Sequence, residues 1–315
     1  MLGRGVGAEL ASRSPGEVWD PWLRELTATL DGVVVNLECC LSARGQPTTR
    51  VPRKPFFFRG PPEAVGALEA IGVRAVTLAN NHALDYGAEA LADTVAGLRR
   101  AGIAVAGAGS DLEGARRPAV LELGGHRLAL VAVTDHPPEY AATPSAWGVA
   151  YGALRDGVPD WLLDAVRTAR RTADVVLVAP HWGPNMRDHP ASWQLDVARA
   201  LQEAGADLVA GHSAHVVHGV GWTASGPLLY DLGDALDDYR VDAVLRNDLG
   251  VLAIWRPGAT IELELVGLRL RYARTSPATG GDADWLAARL ARACEKLGTR
   301  VERVGEQRFA VRPAP

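Results

Sequence analysis

Leu78-Ala79-Asn80-Asn81-His82-Ala83-Leu84-Asp85-Tyr86-Gly87 is the stretch on which the fold turns. An apolar run, Val73 to Ala79, leads into it, and a helix-like run follows from Ala88. Strand, polar loop and helix in that order read as the carboxyl end of a buried strand in an open α/β sheet, where such folds place their chemistry. Two amides and an imidazole at that edge supply neutral groups for a divalent metal or a substrate oxygen. A turn with an Asn cap ahead of the next helix is the plainer reading of the same residues.

The pattern repeats along the chain. Val33-Val34-Val35-Asn36-Leu37-Glu38 is a β-branched run too short for a helix, and it ends in a carboxylate. Asp174 to Pro180 runs into His181-Trp182-Gly183, and Ala206 to Ala210 runs into Gly211-His212-Ser213-Ala214-His215. Between and around these runs the sequence predicts helices at about 61–71, 88–100, 159–172, 190–204 and 283–297, with a short one after Asp20-Pro21 that buries Trp22, Leu23 and Leu26. A short strand is expected at 103–106. A hairpin is expected over 119–123 and 128–133, its tip carrying a solvent-facing His126. Further strands are expected at 227–231, 249–255 and 260–273, then a final β pair. Regular alternation of this kind predicts an α/β fold. No repeat, linker or low-complexity segment cuts the chain, so a single domain is expected, with a core of about 1–255 and a β-α-β extension over 256–315.

With 315 residues and 48% hydrophobic side chains the chain can bury a substantial core. A net charge of −4 argues against nucleic acid as a partner, since phosphate neutralisation calls for a basic face. Three cysteines, two of them adjacent at Cys39-Cys40, make neither a disulfide framework nor a zinc knuckle, and no apolar run approaches the roughly 20 residues of a membrane span. A cytoplasmic location is the expectation. One long loop, 43–60, gathers Arg44, Arg50, Arg53, Lys54 and Arg59 around Phe56-Phe57-Phe58. It reads either as a basic rim over a cleft, with Lys54 and Arg59 gripping an anionic substrate, or as a surface loop pinned by its aromatics. The loop 134–157 is long enough to suspect function.

Glu38, Asn81, His181, His212 and His215 all stand at the ends of apolar strands. If those strands run parallel in one sheet, the five residues converge on one edge. A carboxylate, an amide and several imidazoles are the mixture that metal sites use, and two ions about 3.5–4 Å apart can activate water and stabilise charge on a substrate. Read singly, His181 is also a packed core histidine and Glu38 a backbone cap. His136 and His218 read as structural or supporting residues, and His189, before Pro190, as a helix-start residue.

Together, Asn36-Leu37-Glu38, the Leu78–Gly87 stretch, His181-Trp182-Gly183, Gly211 to Val217 and Leu229-Tyr230-Asp231-Leu232-Gly233-Asp234 resemble the CapA family. These are poly-γ-glutamate (capsule) synthesis proteins related to calcineurin-like metallophosphoesterases. The resemblance runs from Met1 to about residue 240 and implies a four-layer α/β/β/α sandwich with a two-metal site (Mn, Zn or Fe) at its strand edge. It implies Glu38 as bridging carboxylate, Asn81 as amide ligand, His181, His212 and His215 as imidazole ligands, and His82 as acid or transition-state stabiliser. The chain departs from the family's pattern in two places. Members usually have a strand ending Gly-Asp just ahead of Met-Leu-Gly-Arg, whereas here Met1-Leu2-Gly3-Arg4 opens the sequence, so either the start lies further upstream or one metal position is weakened. Asp234 stands where Gly-Asn is usual, and can be read as a replacement carboxylate. Arg4 is expected beside the site, holding an anionic substrate.

The expected activity is that of a metal-dependent hydrolase or transferase at a γ-glutamyl amide or a phosphoester, with His82 as proton donor. The competing expectation is a non-catalytic module whose degenerate site binds polymer or a protein partner. A nucleotide-binding fold is disfavoured, because Leu112 stands where a Gly-rich phosphate loop starting at Gly107 needs its third glycine.

Overall fold

Strand Val73–Thr77 lies in the middle of a three-stranded parallel sheet, between Val33–Asn36 and Ala104–Ala106. The computed structural model describes residues 1–258 and 262–314 and shows a mixed α/β protein with several sheets and, among those residues, eight α-helices. A second sheet has the order Val220–Thr223, Gly226–Leu229, Leu208–Ala210, Val175–His181, His126–Thr134, Ala119–Leu123. Its four central strands are parallel, and each edge is closed by an antiparallel neighbour. The strand ends therefore do not share one sheet, contrary to the expectation: Glu38 and Asn81 follow strands of the first, His181 and His212 strands of the second. An apolar run tells that a strand is buried on both faces but not which strand it pairs with.

A third, antiparallel sheet joins Leu249–Arg256, Glu262–Arg271, Arg308–Pro313 and Thr299–Arg303, with Arg274–Pro277 added against Glu262–Arg271. The first two residues of the expected strand 260–273 lie outside the described residues. The boundary expected at 255/256 falls inside Leu249–Arg256.

Side-chain alternation assigns the faces. Along His126–Thr134, Leu128, Leu130 and Ala132 join a core that also holds Ala75, Ala79 and Ala106 of the three-stranded region and Leu249 and Leu265 of the third sheet. The alternate residues Ala129, Val131 and Val133 pack with Leu162 and Val166 of helix Asp160–Thr172 and with Val197 and Leu201 of helix Ser192–Glu203. On the far side of the three-stranded sheet, Val73 and Val76 share a core with Leu91, Val95 and Leu98 of helix Gly87–Arg100. A cavity of about 450 Å³ is lined by both edge strands Val33–Asn36 and Leu249–Arg256; its polar end reaches Glu38, His212, His215 and Asp234.

Several local expectations change. Helix Arg4–Ser12 was not foreseen because Gly5 and Gly7 lower its propensity; burial of Val6 and Leu10 holds it nonetheless. The expected helix 61–71 is a 3-10 turn, Pro62–Ala64, followed by Val65–Glu69, and helix Leu112–Arg116 and strand Val220–Thr223 are additional. His189 is exposed and precedes the helix that starts at Ser192, while His126 is solvent-facing as expected. Among the described residues no helix is long and apolar enough to cross a membrane.

Gly107, with φ +85°, sits where the sheets approach: a Cβ there would lie 2.6 Å from Ala79 Cβ and 2.9 Å from Ala132 Cβ. Gly107→Ala should cost about 2–4 kcal/mol, roughly 1 for the left-handed backbone and the rest for overpacking. Gly125, at φ +78° in open space, isolates the backbone part. Urea unfolding of Gly107→Ala and Gly125→Ala checks this, and equal losses in the two would remove the packing component.

Candidate functional site

Glu38 follows Val33–Asn36, and its buried carboxylate lies between the sheets: Oε1 is 4.0 Å from His82 Nε2 and 3.9 Å from His181 Nε2. His181 is the last residue of its strand, in register with Thr134 on one side and bridged to His212 on the other, so its ring is fixed by the sheet ladder. The His181 and His212 ring centroids are 5.0 Å apart. Burial pushes the His181 imidazole well below its ordinary range, with the neighbouring imidazoles adding to the effect, and takes His212 down to about 3. Both rings are therefore neutral, the form that binds a cation.

The Gly211–His215 turn carries strain: Ser213 and His215 have φ of +126° and +59°. Asp231 holds the turn, accepting from the backbone N–H of Ala214 at 2.6 Å and of Gly233 at 2.8 Å. His215 Nδ1 lies 3.0 and 3.1 Å from the two oxygens of Asp234. Burial alone would depress His215, but Asp234 and Glu38 outweigh it and raise it to about 10; burial raises Asp231 to about 7. Asp234 thus stands beside an expected ligand and fixes its ring.

His82 is organised by Asp85, which the sequence reading passed over. Fully buried, Asp85 lies 2.6 Å from His82 Nδ1 and 3.2 Å from Lys54 Nζ, and accepts from Tyr140 Oη at 2.9 Å and the Phe58 N–H at 2.7 Å. With Nδ1 held, Nε2 is left facing Glu38. Phe58 stacks on the imidazole at 3.8 Å. Burial lowers the His82 pKa, with Asp85 acting against it.

Arg4 starts its helix with φ +52°, and its guanidinium lies 5.5 Å from the Phe58 ring, 5.4 Å from the half-exposed Phe56 and 3.4 Å from Asp238. It stands at the rim of the site. The other expected substrate grips are engaged within the protein. Lys54 is buried and donates to the Asn81 carbonyl at 2.7 Å as well as meeting Asp85, while Arg59 packs over Tyr86 and donates to the carbonyls of Arg44 and Gly45. Arg44 pairs with Asp93.

Whether the donors fit a metal is tested by the atoms left unpartnered. Glu38 Oε1, Asn81 Oδ1, both ring nitrogens of His181 and His212 Nε2 are buried without a hydrogen bond. Such groups cost about 1–3 kcal/mol each and are rare in native interiors. The chemistry of the donor set fits a cation, although among the described residues no three or more His, Cys, Asp or Glu are placed so that they could hold a metal ion.

Asp85→Ala leaves Lys54 buried without its counter-charge and should cost about 3–5 kcal/mol in urea unfolding; a loss under about 1 kcal/mol would mean that Lys54 reaches solvent. His218, whose Nε2–H donates to the Arg187 carbonyl, is depressed by burial to about 4. Its folded pKa lies below the unfolded value, so the unfolded chain binds the extra proton, and stability is level above about 6.5, falls as pH drops from there to about 4, and is level again below. The loss from this one group is on the order of 3 kcal/mol, and His218→Phe should lessen the fall of the urea midpoint between pH 7 and 4.5, with the depressed imidazoles of His181 and His212 accounting for what remains.

Known proteins share this organisation of sequence. The family model described as bacterial capsule synthesis protein PGA_cap matches residues 1–239. A "Probable polyglutamine synthesis accessory protein" of Mycobacterium tuberculosis is 34% identical over 314 residues, covering 93% of this chain and 81% of that protein. The "Capsule biosynthesis protein CapA" of Bacillus anthracis is 30% identical over 221 residues, covering 69% of this chain and 53% of that protein. The "PGA biosynthesis protein CapA" of Bacillus subtilis is 29% identical over 178 residues, covering 56% and 46%. With three quarters of its length matched by one family model, the chain belongs to the bacterial capsule synthesis protein PGA_cap family.

Proposed function

We propose that the protein is a metal-dependent hydrolase or transferase of capsule or poly-glutamate synthesis, acting at a γ-glutamyl amide in preference to a phosphoester. The reading is carried by one observation: Glu38, Asn81, His181 and His212, which come from separate strand ends, each keep a buried side-chain donor atom without a hydrogen-bond partner. Relatives named for polyglutamine and PGA synthesis, polymers joined by amides, are the reason for placing an amide ahead of a phosphoester. The cores on both faces of the six-stranded sheet, and the third behind the three-stranded sheet, support reading the architecture as the four-layer α/β/β/α sandwich of metallophosphoesterases.

Glu38, Asn81, His181, His212 and His215 would hold one or two divalent ions, His215 giving up the proton that Asp234 and Glu38 otherwise keep on it, and imidazole, carboxylate and amide donors without thiolate suit Mn, Zn or Fe. A divalent ion supplies Lewis-acid polarisation and a nucleophile at neutral pH. The protein's own residues do the rest. His82, its Nδ1 held by Asp85 and its face by Phe58, offers Nε2 for proton exchange with the leaving group. Arg4 at the rim binds a carboxylate or phosphate of an anionic substrate, and Asp234 keeps His215 turned into the site.

The test is elemental analysis and calorimetry of the full chain with Mn²⁺ and Zn²⁺, beside turnover on γ-glutamyl amide and phosphoester panels. Wild type should bind metal stoichiometrically, and His181→Ala with His212→Ala should lower affinity at least 100-fold. Full metal content in that double variant would sink the assignment. Metal binding without turnover on either panel would favour a polymer-binding role.

A further inference from the structure

We propose that His136 is a further metal ligand, the solvent-side member of a row of three imidazoles with His181 and His212. The inference rests on the metal-dependent reading above and adds a residue to it. Its basis is register. Thr134 pairs with His181, and His181 is bridged to His212, so three adjacent parallel strands end level with one another. His136 stands two residues beyond Thr134, and its ring centroid is 5.0 Å from that of His181, which is in turn 5.0 Å from that of His212. With metal–nitrogen bonds of about 2.0–2.1 Å, two imidazoles on one tetrahedral ion have centroids about 5 Å apart. The spacing along the row is the spacing of co-ligands.

The support beneath His136 is also that of a ligand. One oxygen of Asp135 takes His136 Nδ1, and the other accepts the Gly183 N–H at 2.9 Å, which ties the residue to the loop that follows His181. A carboxylate on one ring nitrogen fixes the tautomer and leaves the other as donor, the usual support of a metal-binding histidine. The Thr134 hydroxyl donates to the His136 carbonyl at 2.6 Å and holds the backbone. His189 makes a comparable pair with Asp188, but it is exposed and stacks with no other imidazole among the described residues. A third of the His136 side chain is exposed, whereas His181 is fully buried, so His136 marks the open edge where an ion would enter. Among the described residues no three or more His, Cys, Asp or Glu are placed so that they could hold a metal ion, so the three rings must draw together on binding.

Co²⁺ titration of the metal-free full chain reads this directly, through calorimetric affinity and the visible d–d absorption that reports coordination. His136→Ala and His136→Gln should each weaken Co²⁺ binding about 10- to 100-fold and change the absorption band, with His189→Ala as the unaltered control and circular dichroism confirming the fold. Asp135→Asn should give a smaller loss of the same kind. Wild-type affinity and spectrum in both His136 variants, alongside a loss in His181→Ala, overturn the His136 assignment alone. A wild-type chain that takes up no Co²⁺ overturns the metal reading and this ligand with it.

Discussion

The carboxylate of Asp85 is buried completely and is approached from four directions: by the His82 ring, the Lys54 ammonium, the Tyr140 hydroxyl and the Phe58 amide. A buried charge of this kind is tolerable only while its partners stay in place. The partners come from three separate parts of the chain, the loop before Arg59, the Asn80–Gly87 turn and the 3-10 turn Pro138–Tyr140, so one ion fixes all three. Phe58 is thereby laid on His82, and the imidazole has one orientation. The geometry of the proposed proton-transfer group follows from satisfying a charge rather than from any preference of the loop itself.

On the facing sheet the opposite condition holds. His181 is buried beside Glu38 with neither ring nitrogen partnered, and the half-buried His212 next to it has its Nε2 buried without a partner. The sheet keeps them there because His181 ends a seven-residue strand paired in register along its whole length with its neighbour, so it cannot turn out without breaking the ladder. Stability is given up at the strand ends and recovered in the apolar layers, as natural proteins do at functional sites. Strained backbone at Ser213 and His215 points the same way.

Much of this was legible in the sequence, and what was missed has physical causes. Runs 73–79, 174–180 and 206–210 announced strands because short apolar runs with polar ends have few other uses, and each delivered its polar residue to the site. Periodicity is silent on partners, so the division of those strands between two sheets was not readable. Lys54 looked like a surface cation because lysine is seldom buried; only the Asp85 carboxylate explains its place. His136 lies in a proline-rich loop, and its place beside His181 depends on strand register and on Asp135, neither of which leaves a local signature.

The two halves of the site belong to different sheets, so their separation is a packing distance. Glu38 can reach to within 3.9 Å of His181 only because the residues between the sheets near that end are small: Ala75, Ala79 and Ala106 from one side, Ala132 and Ala179 from the other, with Gly107 where even a methyl group does not fit. Toward the opposite ends of the strands the same layer is filled by Leu128, Val175 and Leu177, which border the cavity. Side-chain size thus changes along one inter-sheet layer, and the ligand spacing is set by its small end. Interiors are close-packed and transmit strain, so a methyl group added there displaces strand ends rather than filling space. Residues that touch neither substrate nor ion therefore decide whether the carboxylate and the imidazoles can share one.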